Sequence, residues 1–263
     1  MSAIILEDRI VHYEVLGRGR PIIFVHGWVG SWRYWVPAMQ TAAMSSRAYA
    51  LDLWGFGDTA HDTAGYTLVQ QATLLDRFTQ EMGMGKIALI GHGLGALAAI
   101  LFTRKNPQVV DRLMVVDVPM DTKSVAARLR SPASPADLAD WLLGKGAITE
   151  PARTDAIKAD PLAITTSFTS LNGTDLLPSM DSMATPCLMV HGQSDPAIRS
   201  LEYERVMAMP ELIHQIVLED SGHFPMLDES SRFNHLMADF LALDSGESPR
   251  ELQLKEEWKR RVR

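Results

Sequence analysis

One run of this chain admits few folds. From Ile87 to Thr103, IALIGHGLGALAAILFT, no residue carries a formal charge, and glycines at 91, 93 and 95 interrupt it. Length alone suggests a membrane span, but three glycines at alternating positions break any single helix there. The residues before the glycines read as a short buried strand. Those after them read as its helix, stopped near Asn106-Pro107. Strand, sharp turn and buried helix form the repeating unit of α/β proteins.

The rest of the chain repeats that alternation. AIIL and IVHYEVLG flank Glu7-Asp8-Arg9 as an opening hairpin. PIIFVHG is a buried strand ending in a loop, and AYALDLWGFGDT is a strand followed by a glycine-rich turn. VDRLMVVDVP, TPCLMVHGQSDP and HQIVLEDSGHFP supply three more strands. These runs are apolar without strict alternation, as expected for a mostly parallel sheet covered by helices on both faces. With 263 residues, 46% of them hydrophobic, the chain can build one large α/β domain.

Between about Met120 and Ala184 the pattern changes. Helical pieces are broken by SPASP and by Pro151, Pro161 and Pro178. We expect a helical lid over 120–183, inserted between two strands of a core formed by 1–119 and 184–263. The final stretch, SPRELQLKEEWKRRVR, opens with Ser248, Pro249 and Glu251, a helix start. Leu254, Trp258 and Val262 share one face of that helix. It either packs on its own domain or makes a homodimer or partner contact through Trp258, so a monomer or a homodimer is expected.

A net charge of −7 with no basic stripe argues against nucleic-acid binding. The N-terminal run Ile4–Leu6 is too short for a signal-peptide core. The expectation is therefore a cytoplasmic protein without a membrane span. The single cysteine, Cys187 in CLMV, excludes an internal disulfide and reads as a buried core thiol.

Chemistry concentrates at the ends of the strands. A strand running into G-x-S-x-G and then a helix places a serine on a tight, strained turn, with helix N–H groups facing a developing oxyanion. Here the same turn is Gly91-His92-Gly93-Leu94-Gly95, and glycine stands where the serine is expected. The loop HGWVGSW, His26 to Trp32, follows a buried strand. It offers the Trp28 N–H as one oxyanion-hole donor, with Leu94 as the other. Asp195 in HGQSDP and His223 in DSGHFP each lie just past a strand. The order nucleophile position, acid, histidine matches that arrangement. Asp117, after the preceding strand, is the alternative acid.

His92 reads as structural, because the residue before the elbow centre points away from the reacting centre. Ser31 reads as the cap of a helix beginning at Trp32. The remaining histidines, His12, His26, His61, His191, His214 and His235, show no partner pattern. No pair has metal-ligand spacing joined to a third candidate, so neither a metal nor a cofactor is expected.

On these motifs the chain resembles the α/β-hydrolase fold superfamily, in the lid-bearing branch with esterases, epoxide hydrolases and carbon-carbon bond hydrolases. The resemblance runs from about Ile4 to Leu243. It implies an eight-stranded, mostly parallel sheet. It further implies that Asp195 orients His223, that His223 is the general base, and that Trp28 and Leu94 form the oxyanion hole. The carry-over fails at Gly93, where the superfamily places Ser and sometimes Asp or Cys.

Glycine adopts the elbow conformation freely, whereas a side chain there costs on the order of 1–3 kcal/mol. Gly93 therefore spares the fold, removes the covalent step and leaves a small space beside His223 where a water can stand. Three readings are open. The parent carries serine at 93, hydrolyses a small apolar ester, and this chain is its inactive glycine form. Alternatively, glycine is native, and His223 with Asp195 acts as base on water or on the substrate, as in cofactor-free dioxygenases of this fold. Or the site is a catalytically dead ligand receptor. All three suit a small apolar substrate or ligand lined by Trp32, Trp54, Trp141 and Phe168, with ordinary core packing as the alternative for about half of the aromatic and Met side chains above the elbow.

Overall fold

The computed structural model describes residues 2–171 and 176–252. Eight strands form one sheet: β1 Ser2–Leu6, β2 Arg9–Gly17, β3 Arg20–Val25, β4 Ser46–Leu51, β5 Ile87–His92, β6 Val110–Val116, β7 Cys187–Gly192 and β8 Ile213–Leu218, in spatial order β1-β2-β4-β3-β5-β6-β7-β8. β1 pairs antiparallel with β2, and β2 with β4; the other pairings are parallel. Leu6 pairs with Arg9 across a two-residue turn at Glu7-Asp8. Both turn residues have positive φ (51° and 60°), the conformation whose twist suits a tight hairpin.

The inner strands are apolar on both sides because helices cover both faces. α1 (Val36–Ala42) and α11 (Ser230–Leu241) pack together, as do α2 (Leu68–Glu81) and α3 (Leu94–Lys105). α2 begins at Thr67, whose hydroxyl accepts the Gln70 N–H, and it buries Leu68, Ala72, Leu75 and Phe78 at helical spacing. α3 is buried almost all round, which explains its lack of charge until Arg104. No helix of the described residues is long and apolar enough to cross a membrane.

The chain leaves the sheet after β6 and returns at β7. In between lie α4 (Ala127–Arg130), α5 (Pro135–Leu142), α6 (Glu150–Ala156), α7 (Pro161–Leu171) and α8 (Leu177–Asp181). Two short helices, α9 (Tyr203–Met207) and α10 (Pro225–Asp228), flank β8. Hydrogen bonds tie the helices between β6 and β7 to the loops at the C-terminal ends of β3 and β4. Tyr66 Oη donates to Asp160 (2.7 Å), the Leu68 amide to Ser170 Oγ (2.8 Å) and the Asp160 amide to the Gly55 carbonyl (2.8 Å). The strand order reverses at β3, between β4 and β5, the place where open α/β sheets commonly bind ligands beyond the strands' C-terminal ends. Leu254, Trp258 and Val262 lie outside the described residues.

Candidate active site

The elbow forms as its glycines require. Gly93 has φ 49° and ψ −111° and caps α3. Its amide donates to the Val116 carbonyl (2.9 Å) and its carbonyl accepts from Leu97 (3.1 Å). A Cβ at Gly95 would strike the carbonyl oxygens of Val25 and His26, and one at Gly91 would meet Gly95 and Ala96 backbone. The flanking glycines thus let α3 sit hard against β3 and β5.

His223 and Asp195 meet beside this turn. Nδ1 of His223 donates to Asp195 Oδ2 at 2.9 Å, and both side chains are sealed from solvent. Asp195 is held by a second bond, accepted from the Ala197 amide (2.7 Å). Burial opposes the imidazolium, but the charge and hydrogen bond of Asp195, with the charges of Asp117 and Asp228, together outweigh it and raise His223 above its ordinary value. Burial pushes the Asp195 carboxyl up, and His223 with the Ala197 amide draws it below the usual range. With Nδ1 committed to Asp195, Nε2 is the nitrogen free to take a proton.

His92 is structural, through a partner the sequence does not reveal. The Gly27 amide donates to Tyr34 Oη (2.7 Å), and Tyr34 Oη pairs with His92 Nδ1 (2.9 Å). His92 Nε2 pairs with the His223 carbonyl (2.9 Å). A carbonyl only accepts, so His92 carries its proton on Nε2 and Tyr34 donates to Nδ1. Burial and the neighbouring His223 hold His92 far below its ordinary pKa. This chain of bonds fixes the loop after β3, the elbow and the loop carrying His223 to one another. His26 is structural as well: the Leu53 amide donates to its Nε2 (3.0 Å), so Nδ1 donates to the Gly27 carbonyl (2.7 Å).

Ser31 caps the turn at Trp32–Trp35, accepting the Arg33 amide (3.2 Å), and its hydroxyl donates to Asp155 on α6. Arg33 Nε (2.9 Å) and Lys158 (3.2 Å) also reach Asp155. Burial pushes that carboxyl up, yet these partners draw it below the usual range.

The space beside Gly93 is narrow on its Cβ side: a Cβ there would stand 3.1 Å from the Trp28 ring. That indole donates from Nε1 to Ser167 Oγ (2.9 Å) and stacks on Phe168 at 4.3 Å. A side chain at 93 would have to push that ring back by a few tenths of an ångström. Among the expected pocket residues, Phe168 reaches the elbow through Trp28. Trp32 packs against His12 and Arg33, Trp54 under Arg9 and against Gly65, and Trp141 under Arg128. Each of these three finds a cation to cover its ring, which sequence position does not reveal.

Cys187 is buried, and burial pushes its thiol up, as for an inert core residue. Side-chain groupings absent from the sequence spacing exist in space. His12, Asp52 and Asp58, then His92, Asp117 and His223, then Asp117, His191 and Asp195 bring ligand atoms within 4.8 Å of one another. The first is a loop-bracing cluster: Asp52 accepts from the Trp32 (2.8 Å) and Asp58 (3.0 Å) amides and pairs with His12 (2.9 Å).

The sheet order, the elbow and the histidine-acid pair define an α/β-hydrolase fold. Residues 22–236 match the model of the alpha/beta hydrolase family, and the chain belongs to that family. A soluble epoxide hydrolase from Corynebacterium sp. is 32% identical over 108 residues, 41% of this chain and 38% of that protein's length. An esterase from Exiguobacterium antarcticum shares the fold at 17% identity with a TM-score of 0.80, covering 92% of this chain and 99% of its own. A serine-to-glycine variant of the N-acyl homoserine lactonase AidH, complexed with N-hexanoyl homoserine lactone, shares the fold at 18% identity with a TM-score of 0.79. It covers 91% of this chain and 96% of its own.

Proposed function

We propose that this chain hydrolyses a small apolar ester-type substrate, with His223 acting directly on water and no side chain forming an acyl intermediate. The observation that carries this reading is the sealed Asp195–His223 pair, braced through His92 and Tyr34, beside a position 93 that holds no nucleophile. His223 Nε2 takes a proton from water as its oxygen attacks the carbonyl carbon. The developing oxyanion accepts from the Trp28 and Leu94 amides. The tetrahedral adduct then collapses, and the leaving oxygen recovers the proton from Nε2.

Losing the nucleophile costs a serine hydrolase on the order of a millionfold in turnover. An oxyanion hole and binding alone still supply roughly 10³–10⁴ over water, so slow turnover is expected. The family and its esterase and epoxide-hydrolase members support the ester-type class. The helices between β6 and β7, clamped on Trp28, act as the lid, and Phe168 with Trp28 forms the apolar wall beside the elbow. The protein is cytoplasmic on this reading.

The test is hydrolysis of p-nitrophenyl acetate and butyrate by the parent chain, Gly93→Ser and His223→Ala. Slow activity in the parent, lost in His223→Ala and indifferent to a fluorophosphonate, supports direct water activation. Activity confined to Gly93→Ser shows that the parent protein needs a serine.

A further inference from the structure

Asp117 is the most constrained titratable group that the proposed reaction does not use. It follows β6 with φ 43°, one of three residues other than glycine with positive φ among those described. Unlike Glu7 and Asp8 in their exposed turn, it is completely buried. Side chains are held in such conformations where the surroundings over-determine them, commonly at working sites. Its amide donates to the Val190 carbonyl (3.0 Å). Its Oδ1 accepts from the Gly192 amide (3.0 Å) and faces His191 Nδ1 (2.9 Å). Its Oδ2 is buried with no hydrogen-bond partner.

The groups facing Asp117 come from every neighbouring strand end. They are His92 from β5, His191 from β7, Asp195 beyond β7 and His223 beyond β8. An oxygen of Asp117 lies within 4.8 Å of ring nitrogens of both His92 and His223, and one lies within 4.8 Å of His191 and Asp195. A buried carboxylate with one oxygen unsatisfied is costly, and that oxygen is where a proton is best placed.

We propose that Asp117 is a positioning residue for the base, a second buried carboxyl whose protonation state decides whether its negative charge joins that of Asp195 beside His223. The inference rests on the reading of His223 as the general base. With Oδ2 protonated, Asp195 and the nearby Asp228 on α10 stabilise the imidazolium without it. When that proton leaves, a further anion holds the proton on His223, and the base is withdrawn until higher pH. Burial, opposed by the His191 hydrogen bond and reinforced by the Asp195 charge, lifts the Asp117 carboxyl to about 6. Asp117 and His223 lie close enough that the charge on one shifts the titration of the other.

Asp117→Asn keeps the acceptor for Gly192 and fixes the neutral state. Two readouts apply: the acid limb of the hydrolysis pH profile, and the titration of the His223 ring followed by nitrogen-15 NMR. We expect both to move to lower pH by about one unit, a roughly tenfold gain in active base at a pH below the parent's limb. Coincident or upward-moving titrations overturn the proposal, since a purely structural Asp117 leaves the His223 titration in place. The NMR titration reads the proposal even if no hydrolysis is found, which separates its failure from failure of the proposed reaction. If the variant does not fold, infrared spectroscopy of the parent chain decides. A buried protonated-carboxyl band that fades as pH rises past about 6 supports the proposal, and its absence overturns it.

Discussion

Putting serine at position 93 should make the elbow catalytic in form and weaker in fold. The backbone there has φ 49° and ψ −111°, a conformation costing a side chain on the order of 1–3 kcal/mol. The new Cβ also meets the Trp28 ring at 3.1 Å. That ring cannot retreat freely, because Ser167 anchors its Nε1 at 2.9 Å and Phe168 stacks on it at 4.3 Å. Overpacking of this kind adds about 1–3 kcal/mol, so the sum is at least about 2 kcal/mol. A chain of this size loses about 2–4 °C per kcal/mol, and we expect Gly93→Ser to melt at least about 4 °C below the parent by calorimetry. In a Trp28→Ala background the overpacking disappears while the backbone cost stays, so the same substitution should be milder there. A serine variant melting at or above the parent would refute the strain argument. An equal loss in both backgrounds would refute the role given to Trp28.

Other substitutions test the supporting network. Tyr34→Phe leaves the Gly27 amide and His92 Nδ1 unpaired in a buried site. It should cost about 1–3 kcal/mol per group in denaturant unfolding and slow hydrolysis. Asp155→Asn weakens the bonds from Ser31, Arg33 and Lys158 and should lower stability by about 1–3 kcal/mol at neutral pH. Asp155 has a depressed folded pKa, so its contribution is present above the ordinary carboxylate range and is lost as pH falls through the folded value. The gap between parent and variant should close there in acid melts. Asp117 has the opposite sign: raised to about 6, it lowers stability as pH climbs from the ordinary carboxylate range to that value. Asp117→Asn should accordingly be more stable than the parent at pH 7, by on the order of 1–3 kcal/mol, with the difference vanishing in acid.

What could be read from sequence was local. The eight strands announce themselves as short apolar runs, and the elbow as three alternating glycines, because backbone geometry at those positions depends on the residues themselves. His223 and Asp195 were found because each follows a strand, and parallel strands deliver their ends to one edge. Tyr34 could not be found this way. It meets His92 from 58 positions away, and its loop carries no sign of the contact. Asp155 reaches Ser31 across 124 positions, from a helix whose docking angle no periodicity records. The surroundings of the aromatic residues were not legible for a related reason: the cations over the Trp32, Trp54 and Trp141 rings come from contacts that no local pattern records. The sequence points to the Trp28 amide, whereas its side chain narrows the space at Gly93.

The central claim is that His223 drives water onto the substrate with no bond formed to the protein. Mass spectrometry of the intact chain during turnover of p-nitrophenyl butyrate in oxygen-18 water tests it most directly. The account predicts labelled butyrate, formed faster than in buffer and not by His223→Ala, from a protein whose mass never changes. A chain that gains a butyryl group during turnover, or that yields butyrate no faster than buffer, would contradict it.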